Sequence, residues 1–220
     1  MVLAPDRKGD LVVLVADKNM QVAIDSILKR SEAMQLRYFT SVIFPHPRHD
    51  PGCRLESDAF LAPFASSFDH ALVVFDRDGC GLDLERVRLE EEVEHKLSQR
   101  GWEGRSAVVA IDPELESWVW SDSPHVEKVL GWHNQNPSLR EWLDKQGHLP
   151  LKQPKPSDPK TAMLAAIRHV RKARSPVIFR LLAERVSFER CTDAAFSKLV
   201  STLRTWFPLN SSRGLDKILG

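Results

Sequence analysis

Four short apolar runs, each followed by a segment of helical periodicity, constrain this chain more than any other feature. They are Leu11-Val-Val-Leu-Val15, Arg37-Tyr-Phe-Thr-Ser-Val-Ile-Phe44, Ala71-Leu-Val-Val-Phe75 and Arg105-Ser-Ala-Val-Val-Ala-Ile111. A continuous apolar run, rather than an alternating one, is what a strand covered on both faces requires. After the first run, Met20, Val22, Ala23, Ile27 and Leu28 share one helical face. Pro45 and Pro47 stop the second run, and Glu56 to Phe68 then reads as a helix interrupted at Pro63. Asp83 to Gln99 is a charged helix whose thin apolar stripe of Leu89, Val93 and Leu97 fits a surface position. Pro113 stands where a helix following the fourth run would begin. Four such alternations predict an α/β fold, a parallel four-stranded sheet flanked by helices.

The second half changes character. Residues 121–160 concentrate Trp, Pro, His and Asn, and Lys152 to Pro159 reads as a loop. Two or three helices follow, the last marked by Phe196, Leu199, Val200, Leu203 and Phe207 at helical spacing. This divides the chain into an α/β core over 8–122, a helical C-terminal part over 123–208 packed on it, and a polar, flexible tail over 209–220. With 31 basic against 30 acidic residues, no global field draws the protein onto nucleic acid. No stretch approaches the roughly 18 apolar residues of a membrane span, and the first residues lack the pattern of a secretory signal. Cys53, Cys80 and Cys191 are odd in number and far apart, which fits reduced thiols. A cytoplasmic protein with no membrane partner is expected.

In an open parallel sheet, ligands bind where the strands end. Those positions carry Asp17 after the first run, Asp76 and Asp78 after the third, and Asp112, Glu114 and Glu116 after the fourth. Carboxylates gathered there suit a hard cation such as Mg2+ or Mn2+. Asp76 and Asp78, two apart on an extended segment, share a side, either as a ligand pair or as turn chemistry. Asp112 is either a ligand or the N-cap of the next helix. Glu114 and Glu116, two apart on a helix, point different ways, so at most one faces the crevice. Asp17 is either a site residue or a solvated loop acid. His46, His49, Cys53 and Cys80 are zinc-type ligands at no zinc-site spacing, so no zinc is expected. Ser187, His169 and Asp193 carry no hydrolase signature. Arg168, Arg171, Lys172 and Arg174 cluster near a helix C-terminus, where they either complement the helix dipole or contact phosphates. Trp118 and Val119 are expected to dock the helix after the fourth strand onto the sheet.

The order Phe75-Asp-Arg-Asp78, strand, Pro113-Glu-Leu-Glu-Ser-Trp118 resembles the Toprim-related proteins of the DUF4276 and RloB-like kind, which carry a D-x-D and a later E-x-W. Asp158-Pro-Lys160, Arg174-Ser-Pro176 and Cys191-Thr-Asp193 with Phe196 resemble that family's helical tail, so the likeness spans most of the chain. Asp17-Lys-Asn19, Gly79-Cys-Gly81 and Trp118-Val-Trp-Ser-Asp122 are similar to a subgroup associated with bacterial methylation-associated phage defence. The resemblance implies a Toprim-like, Rossmann-like core and a Mg-dependent, phosphodiester-acting component of an anti-phage defence system. In that reading Asp76, Asp78 and Glu116 hold the metal, and Asp17 completes the site or positions water. The partners are other defence proteins and DNA or RNA, the latter met by Lys160, Arg168, Arg171 and Lys172. One departure stands out: Toprim domains end the first strand with Glu, commonly followed by Gly, whereas this chain reads Val15-Ala-Asp-Lys18. Either Ala16 occupies that position and the acid is lost, or Asp17 replaces it one residue later. The rival expectation is therefore a catalytically degenerate adaptor that binds partner subunits of a defence complex.

Overall fold

The four apolar runs assemble into one sheet. The structure, a computed structural model, describes residues 9–121, 123–150, 153, 155–189 and 191–209. Strands β1 (Gly9–Val15), β2 (Ser41–Pro45), β3 (Phe68–Asp76) and β4 (Ser106–Ile111) lie in the order β2-β1-β3-β4, all parallel. Val15 pairs with Pro45 and Val74, and Asp76 pairs with Ile111, so all four C-terminal ends share one edge. Residues 11–15, 71–75 and 108–111 are completely buried, as continuous apolar runs require. The fold is thus α/β and Rossmann-like.

Several boundaries differ from the sequence reading. Strand β2 begins only at Ser41, because Asp10 holds the preceding segment: its carboxylate accepts from the Arg37 guanidinium at 2.8 Å and from the Thr40 N–H at 2.8 Å. Helix α1 (Lys18–Leu28) is as expected, but α2 runs His49–Leu61, seven residues earlier than the apolar pattern suggested. Pro51 lies in its first turn, where no N–H donor is needed. Pro63 ends α2 in one tight turn, and Phe68 already belongs to β3. Helix α3 spans Arg86–Leu97, and α4 is a single turn, Glu116–Val119. Pro113 and Glu114 precede α4 in a non-helical turn, so Asp112 caps nothing.

The C-terminal part is more regular than its composition indicated. Residues 121–160 hold α5 (Pro124–Leu130), capped by Ser123, and α6 (Leu139–Lys145), opened by a reciprocal Ser138–Glu141 capping box. Then come α7 (Pro159–His169), α8 (Pro176–Ala183) and α9 (Ala194–Trp206). Helix α8 packs on α1 and α9 on β4, and one continuous hydrophobic core joins both halves. The Arg30 guanidinium reinforces this junction by donating to the Ala183 and Val186 carbonyls and lying over the Phe188 ring. The tail expected over 209–220 falls, after Leu209, outside the described residues. Among the described residues no helix is long and apolar enough to cross a membrane.

Helix α3 is less of a surface helix than its charge suggested. β4 is an edge strand, and its outward N–H groups would otherwise invite another strand. The Glu90 carboxylate accepts from the Ala110 N–H at 3.0 Å and that of Glu94 from the Val108 N–H at 2.9 Å. Glu90 is only 3% exposed and is paired with Arg86 at 2.7 Å and with Lys198 of α9 at 3.1 Å. Removing the carboxylate strands the buried Ala110 N–H and the Arg86 guanidinium, while Lys198 keeps Glu94 at 2.7 Å. Glu90→Ala is expected to cost about 3 kcal/mol in urea unfolding. Val42→Thr, on the opposite edge at 43% exposure, should stay within about 0.5 kcal/mol.

Candidate metal centre

The C-terminal edge of the sheet gathers acids from four separate elements. Asp76 ends β3, and Glu114 and Glu116 come from the turn after β4 and the start of α4. One carboxylate oxygen from each of these three lies within 4.8 Å of the others, an arrangement that could hold a metal ion. Glu114 and Glu116 are 7% and 2% exposed. They converge because Glu114 precedes the helix, so the divergence expected of two helical positions two apart does not arise. Asp50, in the first turn of α2, supplies a fourth acid. Its Oδ1 accepts from the Asp76 N–H at 2.8 Å, and the Asp76 Oδ1 accepts from the Leu115 N–H at 2.9 Å.

Two basic side chains from the C-terminal part close the cluster. The Lys160 ammonium and backbone N–H donate to the two oxygens of Glu114, at 2.9 and 3.0 Å. The Arg174 guanidinium donates to the Glu116 carboxylate at 3.0 Å and rests over the Phe179 ring. No cation pairs with Asp76 among the described residues. Burial raises its carboxyl well above the ordinary aspartate range, and the charges of Asp50, Glu116 and Glu114 raise it further, against the Leu115 hydrogen bond. Burial likewise raises Asp50, with Asp17 adding to it, and raises Glu114 despite Lys160. Lys160 is lowered by burial, but its bond to Glu114 and the nearby acids leave it above the usual lysine range. The Cys53 thiol beside the cluster is pushed far up by burial and by Asp50, Asp76 and Asp17, and so stays protonated.

The remaining predicted residues fall elsewhere. Asp78 is 60% exposed at its side chain and lies 3.7 Å from Arg77, outside the triad. Strand alternation ends at Asp76, and a turn carries Asp78 away from its side. Asp112 also pairs with Arg77, at 3.2 Å. Asp17 is the N-cap of α1, its Oδ1 accepting from the Met20 N–H at 2.8 Å, while Ala16 is buried in the core. Asp17 therefore reaches the cluster only through its charge on Asp50. Of the expected phosphate contacts, Lys160 is the ion-pair partner of Glu114. Lys172 donates to the Val129 carbonyl, and Arg168 and Arg171 are exposed. His46 is buried against Phe60, its Nδ1 accepting from the Arg48 N–H at 3.1 Å. Cys53, Cys80 and Cys191 are free thiols. Trp118 docks α4 as expected, but onto α9: its indole N–H donates to Asp193 at 2.9 Å and its ring meets Phe196 edge-on.

Sequence reasoning missed Asp50 and Glu114 as members of the cluster. A signal for Asp50 lay in Gly79, where a Cβ would come within 2.6 Å of the Asp50 carboxylate. Gly79 is therefore needed for close approach. Comparison of the chain with protein-family models, curated proteins and solved structures finds no match.

The charge imbalance has a pH signature. A carboxyl raised in the folded state binds its proton more tightly there than in the unfolded chain. Its contribution to stability is then fully present below the unfolded value, near 3.8 for aspartate, and is lost as pH rises through the folded value. The cluster's contribution to stability should accordingly decline as pH rises above about 4, as read from the difference in urea midpoints between the parent and Asp76→Asn. Asp76→Asn keeps an oxygen for the Leu115 N–H and should flatten that decline, being more stable than the parent at pH 7 and equal to it near pH 4.

Proposed function

We propose that the protein is a divalent-cation-dependent, phosphodiester-acting enzyme whose centre is Asp76, Glu114 and Glu116. The observation that carries this reading is the convergence of three carboxylate oxygens within 4.8 Å at the edge where parallel sheets bind ligands. Mg2+ or Mn2+ fits the donor set, which is all oxygen and free of nitrogen or sulfur. Such a cation polarises a phosphoryl oxygen and acidifies bound water. The chain's own residues have distinct tasks. Asp76, fixed by Asp50 and by the Leu115 N–H, presents a carboxylate with no cationic partner. Lys160 and Arg174 hold Glu114 and Glu116 in place, and either can turn toward a phosphate oxygen when a cation takes over its carboxylate. The likeness of the D-x-D and E-x-W segments to Toprim-related proteins supports a nuclease-type role in a bacterial anti-phage defence complex, with partner defence proteins and DNA or RNA as ligands.

A second reading, a catalytically degenerate adaptor, is favoured by two observations. The segment that the resemblance would end in Glu reads Ala16-Asp17, with Ala16 buried, and Lys160 and Arg174 already neutralise two of the three carboxylates. Thermal unfolding separates the two. On the enzyme reading, Mg2+ or Mn2+ at ten times its dissociation constant should raise Tm by about 3 to 6 °C. Asp76→Asn should abolish that rise and any phosphodiesterase activity together. No effect of the cation, with Asp76→Asn destabilising the fold at pH 7, establishes the adaptor.

A further inference from the structure

The basic residues of this chain are unevenly placed. From Pro159 to Ala183, across α7 and α8, stand six Lys and Arg and no acid, and Lys128 to Arg140 is likewise free of acids. The structure brings these two stretches together. The Trp132 indole N–H, just after α5, donates to the Ala166 carbonyl at 3.2 Å, and the Lys172 ammonium donates to the Val129 carbonyl at 2.6 Å. A Cβ at Gly131 would come within 3.4 Å of both Val170 and Lys172. The turn after α5 and the turn after α7 thus form one face. Arg168, His169, Arg171 and Lys172 are exposed on it, and so is the segment His133-Asn-Gln-Asn136. Arg168 and Arg171 make no ion pair among the described residues. Arg171 moreover holds the left-handed conformation, φ 55°, at the C-terminal end of α7, where glycine is the favoured residue. An arginine kept there gains no ion pair within the fold in exchange. His169 supplies a flat ring. It lies nearly parallel to the buried Trp132 at 5.2 Å and tilted against Trp142 at 4.8 Å, so the indoles back the imidazole and the imidazole meets solvent. The acids nearest in sequence leave the balance positive. Helix α6 is neutral, with Arg140 and Lys145 against Glu141 and Asp144, and the Glu141 carboxylate is engaged by Ser138. Glu127 lines a different hollow beside Arg140, and Asp158 caps the opposite end of α7.

An acidic peptide would meet the cations but leave the imidazole face and the amides of residues 133–136 unused. A duplex would offer phosphates but keep its base faces closed. We propose that this face binds single-stranded nucleic acid, with phosphates on Arg168, Arg171 and Lys172, a base on the His169 ring and base edges at the turn over 133–136. Arg174, three residues beyond Arg171, donates to Glu116 of the acidic cluster at 3.0 Å, so the path of the strand leads toward the candidate metal centre. That the bound strand is also the substrate rests on the phosphodiesterase reading; its binding does not.

Fluorescence anisotropy on the full chain in EDTA tests this, with labelled DNA and RNA single strands of about 15 nucleotides, their blunt duplexes and a polyglutamate peptide of equal charge. At least one single strand should bind at least about tenfold tighter than its duplex and the peptide, and the tighter of DNA and RNA identifies the sugar. Arg168→Gln should weaken that binding about tenfold at unchanged Tm, and should lessen the steepness of log K against log salt by about 0.7. Arg171→Gly should do the same while Tm stays equal or rises, because glycine suits the left-handed backbone better. A merely structural Arg171 would instead show a lowered Tm and unchanged binding. Asp76→Asn should leave strand binding intact, so failure of the metal centre and failure of this surface are told apart. No binding of either single strand, equal affinity for duplex or peptide, or a Kd unmoved by both arginine substitutions overturns the proposal.

Discussion

Asp76 is the residue on which the remainder of the site depends. As the last residue of a central strand it is placed by the parallel ladder, opposite Ile111. Its N–H, left without a strand partner, is taken by Asp50 from α2, and its carboxylate takes the Leu115 N–H from the turn after β4. One residue thereby ties a strand, a helix start and a turn together through backbone groups that must be satisfied somewhere. Glu114 and Glu116 flank Leu115, so the hydrogen bond to Asp76 also sets where those carboxylates arrive. The cost is electrostatic: the bonds that fix the geometry also bring four acids together, and within the α/β core only backbone N–H groups answer Asp50 and Asp76.

The C-terminal helices supply what the α/β core lacks. Lys160 sits in the first turn of α7, where its own backbone N–H also donates to Glu114, and the helix dipole adds to the ammonium. Arg174 precedes α8, which packs on α1, so its reach to Glu116 is referenced to the sheet through apolar contact. The core and the helical part therefore share one site, and the division near residue 122 is a boundary in composition only.

Where burial dictates pattern, the sequence was legible. The four strands, the Met20 to Leu28 face and the α9 stripe from Phe196 to Phe207 follow directly from apolar spacing. The limits of that rule explain the misses. Helix α2 opens with His49-Asp50-Pro51, residues that signal a loop, although proline is tolerated in a first turn where N–H groups are free. Helices α5 and α6 are seven residues each, too short to show a period, and their capping residues Ser123 and Ser138 were the readable signs. At the site, reading by strand ends singled out Asp76 and Glu116, two members of the acidic cluster. It did not bring Asp78 to the cluster, because a turn cancels strand alternation, and it set Glu114 aside, because the helix starts three residues later than Pro113 suggests. Asp50 was out of reach for any local rule, since its contact to Asp76 crosses 26 residues of sequence.

The position of Ala16 carries a consequence for how the edge works. In a buried strand continuation a carboxylate at 16 would face the core, where an unpaired charge is far more costly than at a helix start. Asp17, one step on, escapes the core and satisfies an orphan N–H of α1 instead. Its charge is still felt at Asp50, which in turn holds Asp76. Asp17 thus acts at a distance on the residue that orders the cluster, while the carboxylates that converge on Asp76 come from the turn after β4 and the start of α4. Lys160, through its ammonium and its backbone N–H, takes both oxygens of Glu114 and so ties that carboxylate to α7.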